Sequence, residues 1–592
     1  MNDIIIGIDL GTTNSEVAVF ENGQPRLIGD SGGDPILPSF VGLSEDGVLL
    51  VGQSASNQYA AAPERSVKSV KRLMGQDTRI DLGGTNYAPQ EISAIILKRL
   101  KEMAESDLGQ PVNRAVITVP AYFSDAQRQA TREAGTIAGL DVVRMINEPT
   151  AAALAYEAGH EGMRDILVYD LGGGTFDVSI VRMEQDVVEV IASHGDNHLG
   201  GDDFDQLITS HLLEQLETTH GVTLSPESPA HARLLRASEA AKRVLSEYPF
   251  VNIEEEFITE KDGVPVHLSL ELSRDDYEEM IQELVERTLE SVHATLDDAK
   301  LTPDAIQEIL LVGGSTRTPL VRRRLEEIFH RSPRGEIHPD LCVALGAAIQ
   351  GGIVKGEAAS AVLVDVTPYT FGTSALGFLD GIETPFVYVP IIHRNTPIPV
   401  SRGQVFYTVQ DDQKVVDVKV YQGENPDASH NILIGSFRIE GLSKAPANNP
   451  IVMTFDLDLN GVLHASAREK ISGLERSITI DNAMTHFEAE EMDQARSRVE
   501  ALFENEEVID STPQENIPQG QEDVTPAQRQ QHTEARALVE KAERMLEEAS
   551  DEDRDDMINL IEEILQALDK ENFTALAEAR EQLADILYYM ET

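Results

Sequence analysis

Two stretches of this 592-residue chain repeat one pattern of apolar and polar positions. In the first, Ile4-Ile5-Ile6-Gly7-Ile8 runs into Asp9-Leu10-Gly11-Thr12-Thr13-Asn14, and Val17-Ala18-Val19-Phe20 follows. In the second, Ile166-Leu167-Val168-Tyr169 runs into Asp170-Leu171-Gly172-Gly173-Gly174-Thr175-Phe176-Asp177, with Phe176, Val178 and Ile180 alternating afterwards. Each predicts strand, tight turn, strand. The repetition predicts a duplicated domain whose halves face each other. A further apolar run, Ile309-Leu310-Leu311-Val312, ends in Gly313-Gly314-Ser315-Thr316-Arg317-Thr318-Pro319, and helical spacing from Leu320 to Phe329 follows. Ser124-Asp125-Ala126-Gln127 predicts a capping box opening a helix through Ala138. Gly200-Gly201-Asp202-Asp203 reads as an acidic loop capping a helix with Leu207, Ile208 and Leu212.

From Thr367 to Ile480 the period changes to two. Val416, Val418 and Val420 share one face; Met453, Phe455, Leu457 and Leu459 lead to Asn460-Gly461, and Leu463, Ala465 and Ala467 return. That predicts a compact antiparallel β-sandwich. From Thr485 to Thr592 the spacing is helical, as in Leu538, Ala542, Met545 and Ala549, and predicts a three-helix bundle broken by a loop over Ser511 to Pro526. Between the two main parts lies Ala359-Ser360-Ala361-Val362-Leu363-Val364-Asp365-Val366. An apolar linker gains by burial, so it is expected to dock in at least one state; the other reading is simply another strand.

The length asks for three or four domains. With 48 Lys+Arg against 102 Asp+Glu the net charge is −54. Such a chain repels phosphate backbones and anionic lipid, which argues against nucleic acid and membrane surfaces as partners. The single cysteine, Cys342, sits in an apolar run and reads as a buried thiol, so no disulfide framework is expected. No secretory or membrane-length apolar segment is present, which suits a reducing cytoplasm.

The chemistry concentrates in the glycine turns. Consecutive glycines let backbone approach an anion, while Asp9 and Asp170 offer carboxylates to the water shell of Mg²⁺ and Thr175 offers a hydroxyl to an attacking water. A ligand-free glycine hairpin is the alternative for either turn alone. No Walker-type glycine-lysine loop occurs, which disfavours the P-loop fold. Taken without context, Lys71 reads as a solvated surface lysine. Glu148, just before Pro149, reads as charge placement at a helix start.

With Asn147-Glu148-Pro149-Thr150-Ala151-Ala152-Ala153 and Val119-Pro120-Ala121-Tyr122-Phe123, these motifs resemble the heat shock protein 70 (DnaK-type) chaperones. The resemblance implies a multidomain protein: an α/β actin-like ATPase of two duplicated lobes (1–358), a linker (359–366), a β-sandwich peptide-binding domain (367–484) and an α-helical lid (485–592). It implies Asp9 and Asp170 around Mg²⁺, and Asp177 beside a monovalent cation such as K⁺. Gly11, Thr12, Thr13, Asn14 and Gly172, Gly173, Gly174 and Thr175 match phosphate loops. Lys71 matches the lysine on the terminal phosphate and Glu148 the carboxylate near the attacking water. Gly200, Gly201 and Asp202 join the nucleotide-binding set. Glu239, Lys242, Arg243 and Ser246, with Gly313, Gly314, Ser315, Arg317 and Asp340, match the pocket for adenosine of ATP or ADP. Pro120, Arg128, Arg144 and Asp365, with Val362, Leu363 and Val364, match positions of interdomain or J-domain coupling. Phe406, Val409, Val416 and Val418 match the channel for extended client peptides, though each taken alone reads as plain core. Thr373 and Leu376 stand where bulkier residues are usual.

The implied function is an ATP-dependent chaperone, a cytoplasmic monomer working with a J-domain co-chaperone; the exchange factor stays open. Between Gly75 and Glu91 a short Gly/Thr/Asn stretch replaces the longer insertion usual in the family, so the outer first lobe is expected to be cut down. The chain lacks the Glu-Glu-Val-Asp ending of eukaryotic cytosolic members, which points to a bacterial one. A chaperone-like regulator or exchange factor that binds ATP without cycling is the alternative, and a sugar kinase a third reading that leaves the β-domain and lid unexplained.

Overall fold

The computed structural model describes residues 4–157, 162–184, 187–334, 338–357, 362–479, 487, 489–504 and 560. Residues 1–508 form one compact unit and 509–592 a second. The boundaries expected at 358, 366 and 484 fall inside the first, because the segments they separate are hydrogen-bonded together. The Ser511–Pro526 loop and the expected bundle beyond Glu504 lie outside the described residues.

Both hairpins form, and each seeds a sheet. In the first, strands Ile5–Leu10 and Asn14–Glu21 pair antiparallel, with Gln24–Ile28 beyond them and the parallel strands Arg114–Val119 and Asp141–Asn147 on the other side. In the second, Arg164–Leu171 and Phe176–Glu184 pair antiparallel, Val187–Asp196 continues the sheet, and Glu308–Val312 lies parallel on the opposite edge. The strands read as nearly continuous apolar runs because helices cover both faces.

Two Ala/Gly-rich helices, Glu148–Glu157 and Cys342–Lys355, pack between the sheets within one core that holds Ile5, Val116, Ile166 and Val168. They cross closely enough that a Cβ on Gly346 would overlap the carbonyl of Ala151. Cys342 is buried there as a free thiol.

Local signals also hold. Ser124 and Gln127 form the reciprocal capping box of helix Asp125–Ile137. The stretch before Glu91 is a short hairpin of two three-residue strands, Ile80–Leu82 with Thr85–Tyr87, turned by Gly83 and Gly84 at φ 63° and 84°. Positive φ at both turn positions is what a two-residue hairpin loop needs, and glycine supplies it without strain.

Val362–Val366 is a strand. It runs parallel to Val187–Glu189 at the edge of the second sheet, and its end pairs with Pro397–Ile398. Both readings of the Val-Leu-Val segment therefore meet: it docks, and it does so as a strand.

Beyond it lie two four-stranded antiparallel sheets, one built on Phe371–Leu379, Ile382–Ile392, Val415–Gln422 and Ile432–Glu440. The other contains Val400–Tyr407, Pro450–Leu457, Leu463–Glu469 and Glu475–Thr479. Their inner faces share a core of Val418, Val420, Ile434, Met453, Phe455 and Ala465. The hairpin expected at Asn460-Gly461 turns through Asp458–Val462, because the Asp458 carboxylate accepts from the N–H groups of Asn460 and Val462.

Helix Ala489–Glu504, expected as part of a lid over peptide, packs instead on the first lobe. Phe487, Ala495 and Val499 enter its core, Arg498 pairs with the buried Glu91 at 2.7 Å, and Arg496 donates to the Thr136 carbonyl. Among the described residues no helix is long and apolar enough to cross a membrane.

Candidate functional site

The two Asp-bearing turns meet across one cleft. Asp9, Gly11, Thr12, Thr13 and Asn14 line one wall, and Asp170, Gly172, Gly173 and Thr175 the other; Lys71, Glu148, Gly313, Gly314 and Asp340 complete it. The tips touch. A Cβ on Gly173 would overlap Thr13 Oγ1, and one on Gly174 would lie 2.7 Å from Thr12 Cγ2.

Each tip is held from behind. Gly11 donates to Ser15 Oγ and accepts from Ser39 Oγ at 2.9 Å, which braces the first. The second is braced by the N-terminus of helix Gly201–His220: Gly201 N–H donates to the Gly172 carbonyl and Asp202 N–H to that of Gly173. Ser315 Oγ also donates to the Gly172 carbonyl at 2.9 Å. Gly200, Gly201 and Asp202 therefore support the turn from outside the cleft. Asp202 also accepts from Ser69 Oγ, and Arg72 pairs with Asp203, so the two lobes are tied beside the tips.

Lys71 arrives on a short 3₁₀ turn, Val70–Leu73, after Ser69 in left-handed backbone at φ 54°. It is no surface lysine: its Nζ donates to Glu148 Oε1 at 2.7 Å, with both side chains buried. Glu148 opens its helix directly from the strand ending at Asn147, which aims it inward.

Negative charge exceeds positive in the cleft. Burial raises the Asp9 carboxyl above its ordinary value, with Lys71 and a hydrogen bond from Thr118 Oγ1 opposing. Burial, then Glu148, Asp177 and Asp9, raises Asp170 well above its own. Burial brings Glu148 to about 7 despite Lys71. For Lys71, burial works against the charged form, but Glu148 and Asp9 outweigh it and its pKa rises. An acidic pocket of this kind suits a cation that travels with an anionic ligand. Among the described residues no three His, Cys, Asp or Glu side chains converge as direct metal ligands. The two buried carboxylates of Asp9 and Asp170 fit a hydrated Mg²⁺, which keeps several waters and takes one or two carboxylates.

Several expected residues lie elsewhere. Asp177 turns its carboxylate onto the N–H groups of Ala121 and Tyr122. On helix Pro229–Glu247, Lys242 is bonded to Asp205 and the Gly201 carbonyl, Glu239 pairs with Arg243, and Ser246 Oγ donates to the Lys242 carbonyl. Arg317 pairs with Asp340. These groups are occupied by one another and, Asp340 apart, do not line the cleft. Glu16, Val312, Pro339 and Val343 do, unforeseen from the sequence; the cross-strand place of Glu16 opposite Asp9 would have been the signal for it.

A family model described as Hsp70 protein matches residues 5–81 and 76–591. The chain belongs to the Hsp70 family. Hsp70 proteins are ATP-dependent chaperones, ATPases that bind ATP or ADP with Mg²⁺.

Behind the cleft of this Hsp70, the residue before Glu148 reaches the linker strand. Asn147 Nδ2 donates to Asp365 Oδ2 at 2.8 Å and Asn147 Oδ1 accepts from the buried Arg128, which also donates to the Ala121 carbonyl. Thr150 Oγ1 donates to Asp365 as well. Burial lowers the pKa of Arg128 and of Arg144, with Asp365 opposing in both. Asn460 accepts from the Met145 N–H, and Tyr369 donates to the carbonyl of Tyr122, two residues past Pro120. Arg128, Arg144 and Asp365 thus gather where the Val362–Val366 strand, the β-sheets and the first lobe meet, and Pro120 lies two residues before Tyr122 in the chain. Val362, Leu363 and Val364 supply the strand pairing.

The expected channel residues divide. Leu376 and Val409 are 51% and 59% exposed. Phe406 and Val416 are partly buried against the core. Thr373 and Val418 are each only 2% exposed, and Thr373 Oγ1 donates to the Lys419 carbonyl. Alternation puts Val418 on the inner face with Val420, where it packs as core.

Proposed function

We propose that this protein is a peptide-binding chaperone whose ATPase cleft controls a β-sandwich clamp through the Val362–Val366 strand. The observation that carries this is the Asn147–Asp365 hydrogen bond, one residue from Glu148. ATP with Mg²⁺ is the substrate. Lys71 would neutralise charge at the terminal phosphate, Thr175 would orient the attacking water and Glu148 would stand beside it; phosphoryl transfer needs little more than positioning and charge neutralisation. Asp9 and Asp170 would face the ion's water shell, and Asp177 a K⁺ ion once released from the backbone. Glu239, Lys242, Arg243, Ser246, Ser315 and Arg317 would exchange their present partners for adenosine.

We assign residues 1–358 to the ATPase, 359–366 to the linker, 367–484 to the peptide clamp and 485–592 to the lid. A docked linker, with helix Ala489–Glu504 held away on the first lobe, corresponds to the low-affinity state. Hydrolysis would release both and trap an extended apolar segment, held by backbone hydrogen bonds and an apolar pocket. A J-domain partner would act near Pro120, Arg128 and Arg144. The short hairpin turned by Gly83 and Gly84 supports a reduced first lobe, which leaves open whether an exchange factor grips that region.

Single-turnover hydrolysis tests the catalytic reading. Thr175→Ala retains ATP binding and slows turnover; unchanged turnover removes Thr175 from its role.

A further inference from the structure

Glu16 has no place in the roles above. It lies directly opposite Asp9 in the antiparallel register of the first hairpin. Its side chain is 2% exposed, and it lines the same cleft as Asp9 and Asp340. Directly opposed residues of an antiparallel pair share a face with Cβ atoms about 5 Å apart, and like charges there repel.

Lys71 lines the same cleft, but its ammonium is already bonded to Glu148. Thr118 donates to Asp9 and Lys71 to Glu148, but among the described residues no hydrogen bond or ion pair reaches the Glu16 carboxylate. A buried carboxylate without a donor is unfavourable unless something outside the chain meets it. An apolar residue here would pack at no such cost, since Val17 and Ala18 beside it are fully buried.

We propose that Glu16 completes the acidic wall facing the hydrated divalent cation that accompanies the nucleotide, and so sets how strongly that cation reinforces nucleotide binding. The inference rests on the nucleotide-binding reading of the cleft. Without the cation, Glu16 adds repulsion toward phosphate. With it, Glu16 adds attraction toward the ion. Both effects widen the gap between metal-free and metal-bound affinity, and linkage makes the same factor describe the ion's own affinity.

The test uses the full-length protein and ADP, with calorimetric affinities measured in excess Mg²⁺ and in chelator. The ratio of the two dissociation constants is the readout. Glu16→Gln keeps shape and removes charge, and is expected to shrink the ratio about tenfold, chiefly by tightening the metal-free complex. Glu16→Asp keeps the charge and should stay nearer to the parent than to Glu16→Gln; Glu16→Ala is a second charge-free variant should Glu16→Gln fail to fold. Equal ratios in parent and charge-free variants overturn the proposal. So does a Glu16→Asp ratio as low as that of Glu16→Gln, which would trace the effect to shape. A parent that binds no ADP in either condition overturns the nucleotide reading itself, a result distinct from failure of Glu16 alone.

Discussion

Asn147 donates its side-chain amide to Asp365 at 2.8 Å, and Asn147 is the residue immediately before Glu148. One short strand-to-helix junction therefore touches both the cleft and the docked linker strand. A shift of Glu148 toward a ligand moves a group that the linker's carboxylate accepts from.

Asp365→Asn should uncouple the two. The substitution removes counter-charge from the buried Arg128 and weakens the seat of the linker strand. Hydrolysis should stay within about threefold of the parent, since the Asp9 and Asp170 wall is untouched, while the Val362–Val366 segment becomes protease-sensitive in ATP. Cleavage rates at that segment check this; protection equal to the parent's contradicts it.

The glycines of the second tip should differ sharply. Gly173→Ala places a Cβ against Thr13 Oγ1, and the lobes must part to admit it. Gly172→Ala meets only the Thr175 carbonyl, at 3.7 Å, an ordinary contact. ADP affinity should fall by about tenfold or more for Gly173→Ala, equivalent to about 1.4 kcal/mol, and change little for Gly172→Ala. Equal losses would mean that the tips do not meet in solution.

Much of this site was legible in the chain. Paired Asp-Leu-Gly turns after apolar runs located both tips, and the Ser124 capping box located the first residue of its helix. Glu16 was missed because one acidic residue in an apolar strand ordinarily faces solvent, whereas here a cleft lies over that face. Val418 matched a channel position by resemblance and read as core by itself; period two shows which residues share a face, not whether that face is core or groove, and its burial follows the second reading. The docking of helix Ala489–Glu504 on the first lobe depends on tertiary partners such as Glu91 and Thr136, which no local pattern announces.

That division gives a third prediction. Val418→Ala should cost about 1–3 kcal/mol of stability, because it opens a hole in the shared core. Leu376→Ala and Val409→Ala, at exposed positions, should leave stability within about 0.5 kcal/mol and weaken the binding of an extended apolar peptide. Thermal unfolding and fluorescence anisotropy separate the two effects; a Val418→Ala protein as stable as the parent would restore that residue to the groove.

The raised carboxyls predict a pH dependence. Glu148 titrates at about 7 and Asp205, beside Lys242, at about 6 in the fold. The unfolded chain releases these protons near the ordinary carboxylate value, about 4. Between the two values the folded form holds more protons, so the stability they contribute is complete below about pH 4 and lost as pH rises through 7. The melting temperature of the nucleotide-free protein should therefore fall less between pH 5 and 7.5, roughly the window set by these values, in Glu148→Gln than in the parent. Identical slopes would show that Glu148 is not held protonated.

The most direct measurement follows a fluorescent peptide bound to the ADP form after ATP is added. Coupling through Asn147 and Asp365 predicts that ATP speeds release by about tenfold or more in the parent, a differential affinity of about 1.4 kcal/mol between the two states, and that Asp365→Asn abolishes the acceleration. Release at the same rate with ATP as with ADP in the parent would contradict the account.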